Sequence, residues 1–296
     1  MTGWQRERVA AFVVTVLVFI VILLPELRYV PIWDGRVYAN CAIGAASNGF
    51  AGLSMESLRC GGHPTQGYIG ILAVSQVFRF GDIALLHMTN IALGVVALAC
   101  IRVVLARLFP DPAHARQLDI VTALCAVHPV MLSTLVQPNV DFGVYVFFFA
   151  TLAALLSGRF AWAAAAGVLL CFSKETGVLA YGVTIGLYAV FLALEGRATP
   201  MERVRRVLPM WVTALPLALF GVHVLWWNAT HAQSAVWKHT WQQGTLDGFR
   251  FFDLSDPTFV SYAAGIFVVG FMWVVTALIA ADLLRGGVRM ARGLPN

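Results

Sequence analysis

The chain has 296 residues, of which 59% are hydrophobic and only 12% are charged. This balance excludes an ordinary soluble domain and favours an integral, polytopic membrane protein. The net charge of +5 follows from the topology described below, so it gives no reason to predict a nucleic-acid partner.

Eight apolar segments are each predicted to form a membrane-spanning helix, because a bilayer core requires about 20 apolar residues per helix. The first segment follows two arginines, as a secretory signal would, but no small-residue cleavage site follows it, so it is predicted to be retained. The eight segments are residues 9–24, 83–105, 118–136, 140–156, 160–172, 177–194, 207–226 and 258–284.

A further apolar segment, residues 65–80, is predicted to lie in the membrane interface or to dip into it. It has about 14 to 16 apolar residues, and at about 1.5 Å per residue these fall short of a 30 Å core. The sequence therefore predicts an all-α transmembrane bundle of about eight spans, with interfacial helices in the first external loop.

The basic residues agree with eight spans, because lysine and arginine accumulate in short cytoplasmic loops. In this topology every basic cluster and both termini face the cytoplasm, whereas a ninth span at residues 65–80 would reverse all later loops. The cytoplasmic residues are Arg6, Arg8, Arg107, Arg116, Arg159, Arg197, Arg203, Arg205, Arg206, Arg285, Arg289 and Arg292.

The external face receives two long segments, residues 25–81 and 227–257, while the cytoplasmic connections are short. Long irregular loops often carry function. We therefore expect any chemistry on the external face.

Four charged residues that are far apart in sequence share this external side: Asp34, Asp141, Lys174 and Glu175. The adjacent Lys174 and Glu175 lie between two apolar stretches, and an ionisable pair at membrane depth is a hypothesis of a functional site. A cleft with carboxylates and cations can use one carboxylate as a base while the cations hold a phosphate.

Short motifs along the chain follow the order found in one known family. They are Trp33-Asp34-Gly35-Arg36-Val37-Tyr38, His63-Pro64, His87-x-x-Asn90, His128-Pro129, Asp141 and Ser173-Lys174-Glu175-Thr176. Their order and sidedness resemble the GT-C superfamily of membrane glycosyltransferases, near the protein O-mannosyltransferase, aminoarabinose transferase and related bacterial branches. The resemblance covers roughly residues 1–194 of a predicted single domain, 1–296, whose C-terminal part, 195–296, is less typical.

The resemblance implies transfer of a sugar from a polyprenyl-phosphate donor on the external face, usually with inversion at the anomeric carbon. In the family pattern Asp34 is the candidate general base and Asp141 is a second acidic site residue. The residues expected to bind the substrate or its lipid phosphate are Lys174, Glu175, Arg36, His63 and Arg59.

No cofactor is expected, because the chain lacks the glycine-rich motifs of nucleotide sites. No metal ligands are predicted, although the use of a divalent metal is left open. The expected partners are the polyprenyl-phosphate sugar and membrane lipids. The expected location is a bacterial inner membrane, with the active face in the periplasm.

Structural alternatives exist for five of the residues expected in the site. Asp34 could cap the helix that follows it, and Asp141 could be the N-cap of the fourth span. Lys174 and Glu175 could form a self-neutralising pair at the interface. His63 could only shape the turn before the next proline.

Two other motifs are predicted to have packing roles. His87 and Asn90 are three residues apart and share a helix face, so we expect them to form hydrogen bonds with a neighbouring span. His128-Pro129 is predicted to form a packed kink.

Cys41 and Cys60 are predicted to form a disulfide, because both lie in the first external loop, in an oxidising compartment. The bond would close a loop of about 20 residues and contribute about 3 kcal/mol. Cys100, Cys125 and Cys171 lie within predicted spans and are expected to be small apolar fillers.

Many family members are longer and carry a soluble external domain that helps to bind the acceptor. Three explanations stay open for this chain: a compact transferase, a transferase whose partner subunit binds the acceptor, or a homologue without activity. Two further classes of function compete with the enzyme: a structural or assembly subunit of a membrane complex, and a polyprenyl-lipid transporter.

Overall fold

The computed structural model describes residues 3–61, 63–194 and 199–231, and every regular element in these ranges is a helix. They belong to one compact unit, residues 1–232, whereas a second unit, 233–296, lies outside the described residues. The α-helices are Gly3–Leu23 (α1), Trp33–Ala46 (α2), Gln66–Phe78 (α3), Ile83–Leu108 (α4), Ala115–Ala126 (α5), Pro129–Val136 (α6), Val140–Leu156 (α7), Phe160–Cys171 (α8), Glu175–Leu194 (α9), Pro200–Val207 (α10) and Leu215–His231 (α11).

Some sequence predictions fall outside the described ranges. They are the span at residues 258–284, the external segment beyond residue 231, and Arg197, Arg285, Arg289 and Arg292.

Four helices are long and apolar enough to cross a membrane, and a bent pair of helices would make a fifth. The four are Val9–Arg28, Ile83–Leu108, Glu175–Leu194 and Pro200–Trp227. The predicted spans at 140–156 and 160–172 are also helical, but α7 has 17 residues and α8 has 12. At about 1.5 Å per residue, α8 rises about 18 Å, short of a 30 Å core. By length and composition the described residues therefore offer four or five spans.

The bent pair confirms the kink predicted at His128-Pro129. Helices α5 and α6 meet at 43°, and Pro129 is the first residue of α6. A proline is tolerated at a first helical position but cannot continue the preceding helix. His128 caps the new helix, because its Nδ1 accepts a hydrogen bond from the backbone N–H of Val130 at 3.3 Å.

The short helix α3 lies inside the bundle, where it packs against α2, α4, α7 and α8. Tyr68, Ile69 and Leu72 are completely buried. The N–H of Gly67 donates to the carbonyl of Phe172 at 2.6 Å, so the start of α3 is fastened to the end of α8. This contact places the segment before α3 close to the segment that follows α8.

Polar contacts inside the bundle confirm the packing role predicted for the polar face of α4. Asn90 accepts a hydrogen bond from the Tyr68 hydroxyl at 2.7 Å and donates to the carbonyl of Leu135 at 2.8 Å. His87 Nε2 donates to the carbonyl of Tyr29 at 2.8 Å. Helix α4 is thereby joined to α3, to α6 and to the chain that precedes α2.

Replacing Asn90 with leucine should lower the free energy of unfolding by about 1–3 kcal/mol, because the Tyr68 hydroxyl and the Leu135 carbonyl would lose buried partners. Reversible unfolding in mixed detergent micelles measures the change. Thr89→Val is the matched control on the same helix, since the one bond of the Thr89 hydroxyl within the described ranges is to the carbonyl of Leu85. Equal stability of the two variants would contradict a linking role for Asn90.

Candidate functional site

The turn between α6 and α7 holds the start of α2. The backbone N–H of Ile32 donates to Gln137 Oε1 at 3.0 Å, and Gln137 Nε2 donates to the Tyr29 hydroxyl at 3.0 Å. Gly35 packs so closely on this turn that a Cβ there would overlap Gln137 Oε1 and lie 3.3 Å from the Gln137 Cα. Asp34 is therefore carried on a helix end that is docked beside the start of α7.

Asp141 and Lys174 form an ion pair across this region, with 2.7 Å between Oδ1 and Nζ. The prediction that Asp141 could be an N-cap is wrong, because the Asn139 side chain fills that role and accepts from the Asp141 N–H at 2.9 Å. The carboxylate of Asp141 is thus free to bind the ammonium group. Its side chain is 56% exposed and that of Lys174 is 24% exposed, so the pair lies at the protein surface.

Glu175 bonds the segment before α3, whereas the adjacent Lys174 bonds α7. Its Oε2 lies 2.9 Å from Nδ1 of His63, which is placed to donate a hydrogen bond to it. The alternative of a self-neutralising Lys174–Glu175 pair is therefore wrong, because each residue pairs elsewhere. His63 does more than shape a turn, since it links the segment before α3 to the start of α9.

Asp34 lies in the first turn of α2 and is exposed. The alternative of a capping role is wrong, because the helix begins at Trp33 with Ile32 at the N-cap position and no side-chain cap. A carboxylate in the first turn is still favoured by the helix dipole. Trp33 has a φ of +49° and is 86% exposed, a strained conformation for a bulky residue that is often found at functional sites.

Tyr38 shows that the predicted acidic residues converge. Burial raises the pKa of its phenol, and the negative charges of Asp34, Asp141 and Glu175 raise it further. Carboxylates from α2, α7 and α9 therefore all lie near enough to Tyr38 to act on its charge. With its raised pKa, Tyr38 stays protonated at neutral pH and can donate a hydrogen bond.

The disulfide expected from the sequence is present between Cys41 and Cys60. It joins α2 to the segment that carries Arg59 and His63, and Cys60 is almost completely buried. Cys60 and His63 also form an isolated antiparallel bridge. The disulfide thus ties the segment with Arg59 and His63 to α2.

The two predicted arginines differ in their surroundings. Burial lowers the pKa of Arg59, and the negative charge of Glu175 opposes that change. The Arg59 guanidinium lies 4.1 Å from the ring centroid of Trp227, a cation–π distance. Arg36 is exposed on α2 and belongs to none of the ion pairs found in the described part of the chain.

This region places cations near exposed carboxylates. Lysine and arginine can bind a phosphate, and an exposed carboxylate can accept a proton. Within the described ranges, no group of three or more His, Cys, Asp or Glu residues could hold a metal ion.

The sequence predicted no role for Gln137 or for Tyr38. The spacing of Tyr38 could have indicated its place in this region, since it lies four residues after Asp34 on the same helix and such residues share a face. No spacing indicates the place of Gln137, because its partners are more than 100 residues away in the sequence.

Comparison with protein-family models, with curated proteins and with solved structures gives no match to this chain.

Replacing Gly35 with alanine should displace α2 from the α6–α7 turn, because the added methyl group overlaps Gln137. We expect a loss of about 1–3 kcal/mol, the usual cost of overpacking. Unfolding in mixed micelles measures it. Gly44→Ala is the control on the same helix, since nothing lies within 4 Å of that site, and it should be neutral or stabilising by up to about 1 kcal/mol. Equal behaviour of the two variants would contradict the close contact.

Proposed function

We propose that the protein is a membrane glycosyltransferase that moves a sugar from a polyprenyl-phosphate donor to an acceptor on the external face. The observation that carries the proposal is that Lys174 binds Asp141 at 2.7 Å, while Gly35 docks the helix that carries Asp34 on the turn before α7. These residues lie far apart in sequence and provide both the base and the cation that such a transfer needs.

The proposal includes the GT-C-like architecture with eight spans and cytoplasmic termini, in a bacterial inner membrane. Support comes from the shared location of the starts of α2, α7 and α9, since residues of all three affect one phenol. Helix α8 follows α7 and precedes α9, so it returns the chain to the end of the bundle where α7 begins. The same end would face the periplasm.

In the proposed reaction, Asp34 accepts the proton of the acceptor hydroxyl while the oxygen bonds to the anomeric carbon. The bond from that carbon to the phosphate oxygen breaks on the opposite side, and its electron pair stays with the departing polyprenyl phosphate. The configuration at the anomeric carbon inverts. Asp34 is suited to the role of base because it is exposed and does not cap its helix.

Lys174 would bind the donor phosphate and offset the charge that grows on it as the bond breaks. In the structure its ammonium group is held by Asp141, so Asp141 would orient the cation towards the substrate. Arg59 adds a second cation near Glu175, and His63 holds that carboxylate at 2.9 Å. Tyr38 would donate a hydrogen bond within the same acidic cluster.

Replacing Asp34 with asparagine should lower transfer by at least about 100-fold, because general-base catalysis contributes about 10²–10⁴. The assay supplies a panel of polyprenyl-phosphate sugars to membranes that contain the protein, and it measures the release of polyprenyl phosphate. Glu56→Gln is the control, since Glu56 is another exposed acid of the first external segment.

Folding of the Asp34 variant is checked by its unfolding curve in micelles, which should match the wild type. A wild-type protein that releases no polyprenyl phosphate from any donor, or an Asp34→Asn variant with full activity, would contradict the proposal. The second outcome would favour a structural subunit or a transporter.

Replacing Lys174 with methionine should raise the KM for the donor by about tenfold, the effect of losing a charge-assisted hydrogen bond. Lys174→Arg retains the charge and should recover part of the affinity. Arg79→Gln is the control, because the Arg79 side chain is exposed and pairs only locally with Asp82. An unchanged KM in Lys174→Met would remove Lys174 from phosphate binding.

A further inference from the structure

A groove of about 380 Å³ lies between the last turns of α4, the end of α7 and the start of α8. It combines cations, a hydroxyl group and apolar walls. Residues that line it include Val103, Arg107, Ala154, Ser157, Arg159 and Trp162.

This groove is separate from the candidate glycosyltransferase site. Asp141 lies in the first turn of α7, whereas Ser157 follows its last residue. At about 1.5 Å per residue the two ends of α7 are about 24 Å apart. A ligand in the groove would therefore lie at the opposite end of the bundle from Asp34 and Lys174.

The charge of the groove has one sign. Arg107 and Arg159 both line it, and among the described residues no acidic one does. Neither arginine belongs to an ion pair found in the described part of the chain. Arg102, on the same helix as Arg107, differs from both, since its side chain is largely buried and binds Asp119 at 2.7 Å. Two arginines therefore line the groove and favour an anion there.

The walls also have an apolar part, which a free anion would not need. Val103 and Ala154 line the groove beside the two arginines, and Trp162 at its edge is 65% exposed. Tryptophan is enriched where apolar helices meet the membrane surface, with its ring at the level of the lipid headgroups. The groove thus suits a molecule with an anionic end and an apolar body.

A simpler role for the arginines is to complement helix ends. Arg107 is in the last turn of α4, and Gly158, with a φ of +68°, turns the chain after α7 so that Arg159 lies beside its C-terminus. Cations are favoured at such ends. That role explains the charges but neither the groove nor the tryptophan, and it predicts no preference among lipids.

We infer that this groove binds the phosphate headgroup of an anionic phospholipid from the surrounding leaflet. Arg107 and Arg159 hold the phosphate, the Ser157 hydroxyl lies within the same groove, and the apolar wall contacts the glycerol and the first acyl carbons. The inference does not depend on the proposed transferase activity.

The test measures lipid binding to the purified full-length protein in a neutral detergent, by native mass spectrometry. The probes are phosphatidylglycerol, phosphatidylcholine and inorganic phosphate. The wild type should retain phosphatidylglycerol and bind it at least about tenfold more tightly than phosphatidylcholine. Inorganic phosphate should compete weakly, because it has no apolar part.

Two kinds of variant test the groove itself. The double variant Arg107→Ala, Arg159→Ala should bind phosphatidylglycerol about tenfold more weakly, as expected for loss of charge-assisted hydrogen bonds. Ser157→Leu keeps both charges but fills the groove, so it should weaken binding as well and remains informative if the double variant does not fold. Arg116→Ala is the control, since Arg116 is an exposed arginine of α5 that does not line the groove.

Equal binding of the two phospholipids would overturn the inference, as would wild-type affinity in Ser157→Leu. Inorganic phosphate that binds as tightly as phosphatidylglycerol, in a way that requires Arg107 and Arg159, would also overturn it, because the site would then take a free anion.

Discussion

The start of α9 is fixed by an ion pair and a hydrogen bond that point in different directions, and the candidate site depends on them. Lys174 binds Asp141 at the beginning of α7, and the next residue, Glu175, binds His63 ahead of α3. Both contacts are partly exposed to solvent, so they fix geometry rather than contribute much free energy. The two pairs therefore hold three separate segments at one end of the bundle. The charges that hold the site together are also the charges proposed to act in it.

A second constraint brings α2 to the same place. Gln137 accepts from Ile32 and donates to Tyr29, while Gly35 allows the two backbones to approach closely. The disulfide between Cys41 and Cys60 then ties the far part of α2 to the segment with His63. The position of the candidate base thus rests on one amide, one glycine and one covalent bond, none of which would take part in the chemistry.

What the sequence predicted correctly was local. The apolar segments within the described ranges form helices, as their composition indicates, and the bend at Pro129 follows from the missing N–H of proline. The sequence predicted that Asn90 forms hydrogen bonds with a neighbouring helix, since a polar group inside a bundle needs a hydrogen-bond partner. The number of helices long enough to cross a membrane was less predictable, because it depends on where each helix ends.

The predictions that failed concerned single residues whose roles depend on exact helix starts. Asp141 would have been a cap had α7 begun later, but Asn139 precedes it and takes that role. Lys174 and Glu175 are adjacent, yet their side chains bind different elements, and only the tertiary structure could reveal this. The role of Gln137 could not be predicted, because no sequence pattern indicates that a glutamine in a short turn bonds residues about 100 positions away.

The shortness of α8 has a consequence for the surrounding bilayer. If its two ends both meet water, as the proposed topology requires, about 18 Å of helix must match a hydrocarbon layer of about 30 Å. Local thinning of the membrane is one way in which such a mismatch is relieved. The thinned patch would lie beside Lys174, which follows α8 in the chain. A long-chain lipid could then present its phosphate to the ammonium group without being lifted out of the membrane.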